Sequence, residues 1–148
     1  MQKTLWNPGS RQELMKRLDN LRPDATPLWG KMNAPQMVSH LVGWMSMANG
    51  ELYTAPWPGI LRRTPVKQLA IYWLPIPKGV PTAKELLDRA PSEWSGELDA
   101  LRRYIENFES DHRNREWPEH PAFGFLTTKA WGVLGYRHTD HHLRQFGV

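Results

Sequence analysis

Tyr136-Arg-His138-Thr-Asp-His141-His142-Leu-Arg-Gln145-Phe146 lies two residues short of the end of the chain, within a segment from about Thr127 to Phe146 that reads as a helix. Each helical residue turns by about 100° around the axis. With Trp131 as the zero direction, His138 falls near about −20° and His142 near about +20°, flanked by Leu134 near about −60° and Gln145 near about −40°. Asp140, Arg137 and Arg144 point the other way, where Asp140 is expected to pair at the surface with Arg137 or Arg144. Two imidazoles thus share the core-facing stripe of an amphipathic helix. Burying them costs solvation unless they find partners. Either a metal ion held by histidines four residues apart, or hydrogen bonds to neighbouring helices, supplies those partners, unless the rings stay partly exposed at the end of the bundle. His138 with His141 is a rival pair, although His141 sits at the edge of the stripe, near about −80°.

Working outward, a third inward-facing imidazole stands on the second helix. That helix begins at Asn33-Ala-Pro-Gln36, which combines a capping residue, an early proline and a glutamine at the third helical position. Met37, His40, Leu41, Trp44 and Met47 form its apolar stripe, and Asn49-Gly50 ends it. A single histidine on such a face is ordinarily a satisfied core residue. Three of them on two helices make His40, His138 and His142 the candidate ligands of one ion. Gln145 is expected to anchor a hydrogen bond behind a ligand, and Trp44 and Trp131 to pack in the core or wall a pocket. His112 and His120 lie in or beside a polar loop, where solvent exposure or local capping is expected.

The remaining helices frame this pair. Ser10-Arg-Gln-Glu13 has capping-box spacing and predicts a helix from Ser10, with Leu14, Leu18 and Leu21 on one face and Pro23 stopping the run. Pro56, Pro58, Pro65, Pro75, Pro77 and Pro81 crowd the stretch Glu51–Pro81, which therefore reads as a long crossover with at most a short helix over Val66–Leu74. Thr82-Ala-Lys-Glu85 starts another short helix through Leu87. A long helix from about Ser92 to Ser110 buries Trp94, Leu98, Leu101, Ile105 and Phe108. Four substantial helices and no alternating strand predict an all-α chain, a four-helix bundle over residues 1–148 as a single domain.

Composition narrows the function. The 148 residues include eight tryptophans and no cysteine, so the chain has neither a disulfide framework nor a thiol nucleophile of its own. The net charge of +4 is spread over scattered basic residues interleaved with acids, which argues against nucleic acid as a partner. Met1–Pro8 lacks a signal-peptide run, and the apolar stretches around Met37–Ala48 and Leu69–Leu74 are too short to span a membrane. A cytoplasmic protein is the expectation.

The motifs carry a resemblance. Trp29-Gly-Lys-Met32, followed by Gln36-Met37 and His40, resembles the second-helix signature of the DinB-like superfamily. The chain is more specifically similar to a branch of unknown function that adds Leu74-Pro-Ile-Pro-Lys78, His120-Pro-Ala-Phe-Gly124 and a final Arg137-His-Thr-Asp-His-His-Leu-Arg-Gln-Phe-Gly147. The resemblance implies a four-helix bundle in up-down-down-up order with a long crossover between helices 2 and 3. It also implies zinc or nickel on one second-helix and two last-helix histidines, which by motif are His40, His138 and His142. Its metal-dependent relatives join or isomerise substrates using low-molecular-weight thiols. Three imidazoles leave a coordination position open, as in catalytic zinc sites. The expected function is a metal-dependent thiol transferase or hydrolase acting on a small molecule. The alternative is a non-enzymatic bundle, metal-stabilised or metal-free, that works through homodimerisation.

Overall fold

Asn7, not Ser10, opens the first helix. Its side-chain oxygen accepts the Ser10 backbone N–H at 3.1 Å and Pro8 occupies the first turn, so helix α1 spans Pro8–Leu18. The expected Ser10–Glu13 capping box is displaced because Ser10 is already inside the helix. Glu13 instead pairs with Lys3 at 2.6 Å and accepts the Tyr136 hydroxyl at 3.1 Å. The structure is a computed structural model that describes residues 1–87, 92–113 and 115–148.

Helix α2, Ala34–Ala48, starts as its sequence requires. The Asn33 side chain accepts the Gln36 N–H, and the Gln36 side chain accepts the Asn33 N–H, both at 2.9 Å. Twelve of its fifteen residues are buried, including Val38, Ser39, Val42 and Met45 outside the expected stripe. A helix buried on most sides is enclosed by neighbours rather than laid on a surface.

The crossover contains a 3-10 turn at Ile60–Arg62 and helix α3 at Val66–Tyr72. α3 stops short of Leu74 because Pro75 disfavours helical geometry in the residue before it. Arg137 closes this end, donating to the carbonyls of Ala70, Ile71 and Leu74. A guanidinium at a helix C-terminus satisfies carbonyls that lack intrahelical partners. Helix α4 is the single turn Lys84–Leu87, and its Glu85 carboxylate accepts the Ala55 N–H at 3.0 Å.

The predicted Ser92–Ser110 helix is divided into α5, Trp94–Glu106, and α6, Phe108–His112. Asn107, at φ −89° and ψ 4°, leaves helical geometry between them. The break turns Phe108 into the core, against Trp6 at 5.0 Å between ring centroids. Leu101, Ile105 and Phe108 are buried as expected, whereas Trp94 and Leu98 are only partly covered.

Helix α7, Thr128–Gln145, is capped by the Thr127 side chain, which accepts the Ala130 N–H at 3.2 Å. α1 packs on α5 and α7, α2 packs on the same two, and α3 lies along α7. These contacts close a ring, α1–α5–α2–α7, around one large cluster of buried side chains. Among the described residues there are seven α-helices and no strand; an isolated bridge joins His120 and Gly124. No described helix is long and apolar enough to cross a membrane.

Candidate metal centre

Close approach of α2 and α7 begins at a glycine. A Cβ on Gly135 would lie 2.6 Å from Leu5 and 3.2 Å from Trp44, so the absence of a side chain lets the Trp44 ring settle against α7. One turn later on α7, His138 meets His40 of α2. Their Nε2 atoms are 3.0 Å apart, across 98 residues of sequence. His142 completes the group: the three rings lie 4.8 to 5.0 Å apart by centroid, and one ligating nitrogen from each lies within 4.8 Å of the others.

The dimensions suit one ion. Two imidazole nitrogens on a tetrahedral zinc, each at about 2.0–2.1 Å, stand about 3.3 Å apart. The His40–His138 edge already has that scale, and the wider edges close with side-chain shifts of at most about 1.5 Å. The group contains no carboxylate and no thiolate. Three imidazoles match the preference of zinc, nickel, copper or iron rather than magnesium or calcium.

Protonation favours the same use. Burial, and then the neighbouring His142 ring, pulls His40 down to about 3. Burial pulls His142 down to about 4, against the opposing effect of its hydrogen bond to Gln145. Burial, followed by the adjacent His142 and His40 rings, holds His138 well below its ordinary value of 6.5. His138 as a residue is only half-buried, but its Nδ1 is sealed from solvent, which accounts for that desolvation. All three rings are neutral at pH 7 and keep a lone pair for a cation.

Gln145 fixes which lone pair His142 offers. The Gln145 amide nitrogen donates to the Trp29 carbonyl at 2.7 Å, so its oxygen faces His142 Nδ1 at 2.8 Å and must accept the proton there. The His142 Nε2 is thereby left free for an ion, the arrangement in which a hydrogen bond behind a ligand sets its tautomer. Gly30 makes the relay possible. It sits at φ +82°, and a Cβ on it would come 2.5 Å from the Gln145 amide nitrogen.

The other expected residues take distinct places. His141 stands outside the converging group; its ring packs edge-on against Trp29 at 5.6 Å and His142 at 5.3 Å. Trp44 lies 5.4 Å from His138 and 5.6 Å from Trp131, and so walls the centre. Trp131, fully buried, lies farther along the same wall and stacks on Trp117 at 5.1 Å. Asp140 pairs with Arg144 at 3.0 Å as expected, but its second partner is Arg17 at 2.6 Å rather than Arg137.

Two expectations are corrected. His112 is not exposed: it is 3% accessible, stacked on Trp117 at 4.3 Å and packed on Phe108 at 4.7 Å. His120 is likewise buried, although its local capping role holds, since Nδ1 accepts the Ala122 and Phe123 N–H groups at 3.2 and 3.3 Å. The surrounding aromatics, not the polarity of the loop, decide where these rings go. The Trp29 carbonyl was not foreseen either; Gly30 beside it, in the Trp29–Met32 motif, was the available signal.

No curated protein and no solved structure matches the chain. One family profile, described as protein of unknown function (DUF1569), matches residues 8–147. With nearly all of its length matched, the chain belongs to the DUF1569 family.

Proposed function

We propose that the chain is a divalent-metal-dependent enzyme of the DinB-like superfamily, a thiol transferase or hydrolase acting on a small molecule. The observation that carries this reading is the convergence of three neutral imidazoles, His40, His138 and His142, which no fourth protein ligand joins among the described residues. The ring of contacts among α1, α5, α2 and α7 supports a four-helix bundle with α3 and α4 on the crossover, and the up-down-down-up order is what the resemblance implies for it.

Zinc or nickel is the ion we favour, since imidazole suits both. Bound there, a divalent ion would act as a Lewis acid toward an oxygen or sulfur of the substrate. The protein's own part is to present the nitrogens and keep them deprotonated. Gln145, through the Trp29 carbonyl, holds His142 with its Nε2 toward the centre. Trp44 gives the centre an apolar wall beside His138. The chain has no cysteine, so a reacting sulfur comes from a low-molecular-weight thiol cosubstrate.

The test is elemental analysis of protein purified without added metal, followed by turnover of thiol cosubstrates with electrophiles. Near-stoichiometric metal, with activity abolished by chelation and restored by the ion, is the expected result. A protein that never retains zinc, nickel, iron or copper sinks the reading.

One observation favours a second reading. His40 and His138 at 3.0 Å also satisfy the geometry of a direct N–H···N hydrogen bond. A metal-free helical scaffold would use it, acting through a homodimer formed over exposed apolar residues such as Trp73, Leu74 and Phe125. Chelation that leaves melting temperature and oligomeric state untouched would support that alternative.

A further inference from the structure

The His120-Pro-Ala-Phe-Gly124 motif plays no part in the ligand set, yet the fold holds it firmly. His120 and Gly124 exchange both backbone hydrogen bonds, at 3.0 and 2.8 Å, with Gly124 at φ +69°. Arg62 ion-pairs with Glu119 and donates to the Pro121 carbonyl at 2.9 Å, and the Trp57 N–H reaches the same carbonyl at 2.8 Å. The loop is thus tied to the crossover on one side and closed on itself on the other.

This construction orients one ring. The Ala122 and Phe123 N–H groups both point at His120 Nδ1, so that atom is the acceptor and the proton resides on Nε2. Among the described residues, no protein acceptor takes the Nε2–H. The His120 residue is 7% accessible. Its ring centroid lies 5.5 Å from that of Trp131, which is itself fully buried and whose Nε1–H has no partner. Trp131 therefore carries a buried N–H donor without an acceptor, where such donors are ordinarily satisfied, and the neighbouring His120 Nε2–H meets no protein acceptor and is not sealed from solvent.

Their position relative to the triad is set by Trp44. Its ring touches the environment of both donors, 6.5 Å from His120 and 5.6 Å from Trp131, and lies 5.4 Å from the ligand His138. The two donors and the metal centre share one aromatic wall.

We propose that His120 Nε2–H and Trp131 Nε1–H form an acceptor-binding subsite beside the metal centre, which takes a carboxylate or carbonyl oxygen of a small molecule whose other end reaches the ion. The subsite deepens the metal-dependent reading and rests on it. The two polar groups it offers are donors, so it favours oxygen acceptors over cations and plain hydrocarbon ends. A site built to satisfy hydrogen bonds discriminates by leaving its own groups unpaired when the wrong ligand binds.

The experiment loads the full chain with cobalt(II) and titrates 3-mercaptopropionate, 3-mercaptopropionamide and 1-propanethiol, following the sulfur-to-cobalt absorption band. At least one of the two oxygen-bearing thiols is expected to bind about tenfold tighter than propanethiol, the scale of one net hydrogen bond. Comparing the acid with the amide tells a carboxylate from a carbonyl preference. In His120→Phe and in Trp131→Phe the margin falls to within about twofold, while cobalt stoichiometry and propanethiol binding stay unchanged. Trp131→Phe removes the N–H but keeps an aromatic ring, so it carries the test if His120→Phe does not fold. A margin absent from the unmodified protein, as expected of a subsite filled by ordered water alone, overturns the proposal, and so does a margin preserved in both variants. Failure to bind cobalt removes the metal reading and the subsite together; cobalt and propanethiol bound without a margin removes the subsite only.

Discussion

Both ends of α7 bury histidine, and they do so differently. Near its start, Trp131 stacks on Trp117 at 5.1 Å and 13°, and Trp117 stacks on His112 at 4.3 Å and 21°. Near its end, His138 and His142 turn their edges to each other and to His40, with ring planes 70° to 82° apart. Burial lowers the pKa in both places, to about 4 for His112 and to about 3 for His40. What separates them is the neighbouring chemistry. His112 lies among π faces, which offer no second lone pair to a cation, so its ring serves as packing area. In the triad each ring faces nitrogen. Burial and a depressed pKa accompany functional histidines without identifying them; convergence of lone pairs does.

The strongest way to break this comparison is to remove one ring from each end. His138→Ala is expected to lose bound metal, with affinity down by more than about 100-fold, because two imidazoles rarely hold a divalent ion in a protein site. His112→Ala should retain full stoichiometry even if it melts earlier. Equal metal content in the two variants, measured by elemental analysis, would erase the distinction. Gln145→Ala tests the support behind the triad. Losing the bond that sets the His142 tautomer is expected to cost about 10–100-fold in metal affinity. A variant that bound as tightly as the parent would mean that the relay to Trp29 is ornamental.

The aromatic end has its own test, in pH. His112 has a folded-state pKa below its ordinary 6.5, so between about 4 and 6.5 the unfolded chain binds the extra proton. Its contribution is therefore complete above pH 6.5 and lost as pH falls toward 4, at a slope of at most about 1.4 kcal/mol per pH unit. Denaturant melts of metal-free His112→Phe should show a shallower acid limb than the parent, and parallel curves would count against a neutral buried ring. The smallest effect belongs to the start of α2. Asn33→Ala removes the cap that begins the His40 helix and is expected to cost about 1 kcal/mol in stability, with metal stoichiometry unchanged.

Much of this was legible in residues. The Asn33–Gln36 box, the short helix after Pro65 and the common face of His138 and His142 follow from local rules, and the structure contains all three. Where local rules competed, reading failed. Ser10–Glu13 has the spacing of a helix start, but in the structure the Asn7 side chain already takes the Ser10 N–H and the helix is under way by then. Asn107 looked like one more turn of a long helix, yet the chain breaks there and Phe108 enters the core. His112 and His120 looked like loop residues because the polar run between them gives no sign that Trp117 and Trp131 fold back over their rings.

Periodicity alone determined that the chain is helical and that two imidazoles of the last helix point inward. Those properties repeat every few residues and involve only neighbours along one axis. Only the tertiary structure decided that His40 lies level with His138, that the Trp29 carbonyl reaches Gln145, and that His120 and Trp131 sit side by side. The height and rotation of one helix against another are set by packing between side chains far apart in sequence, such as Trp44 against Gly135, and no local repeat encodes that alignment.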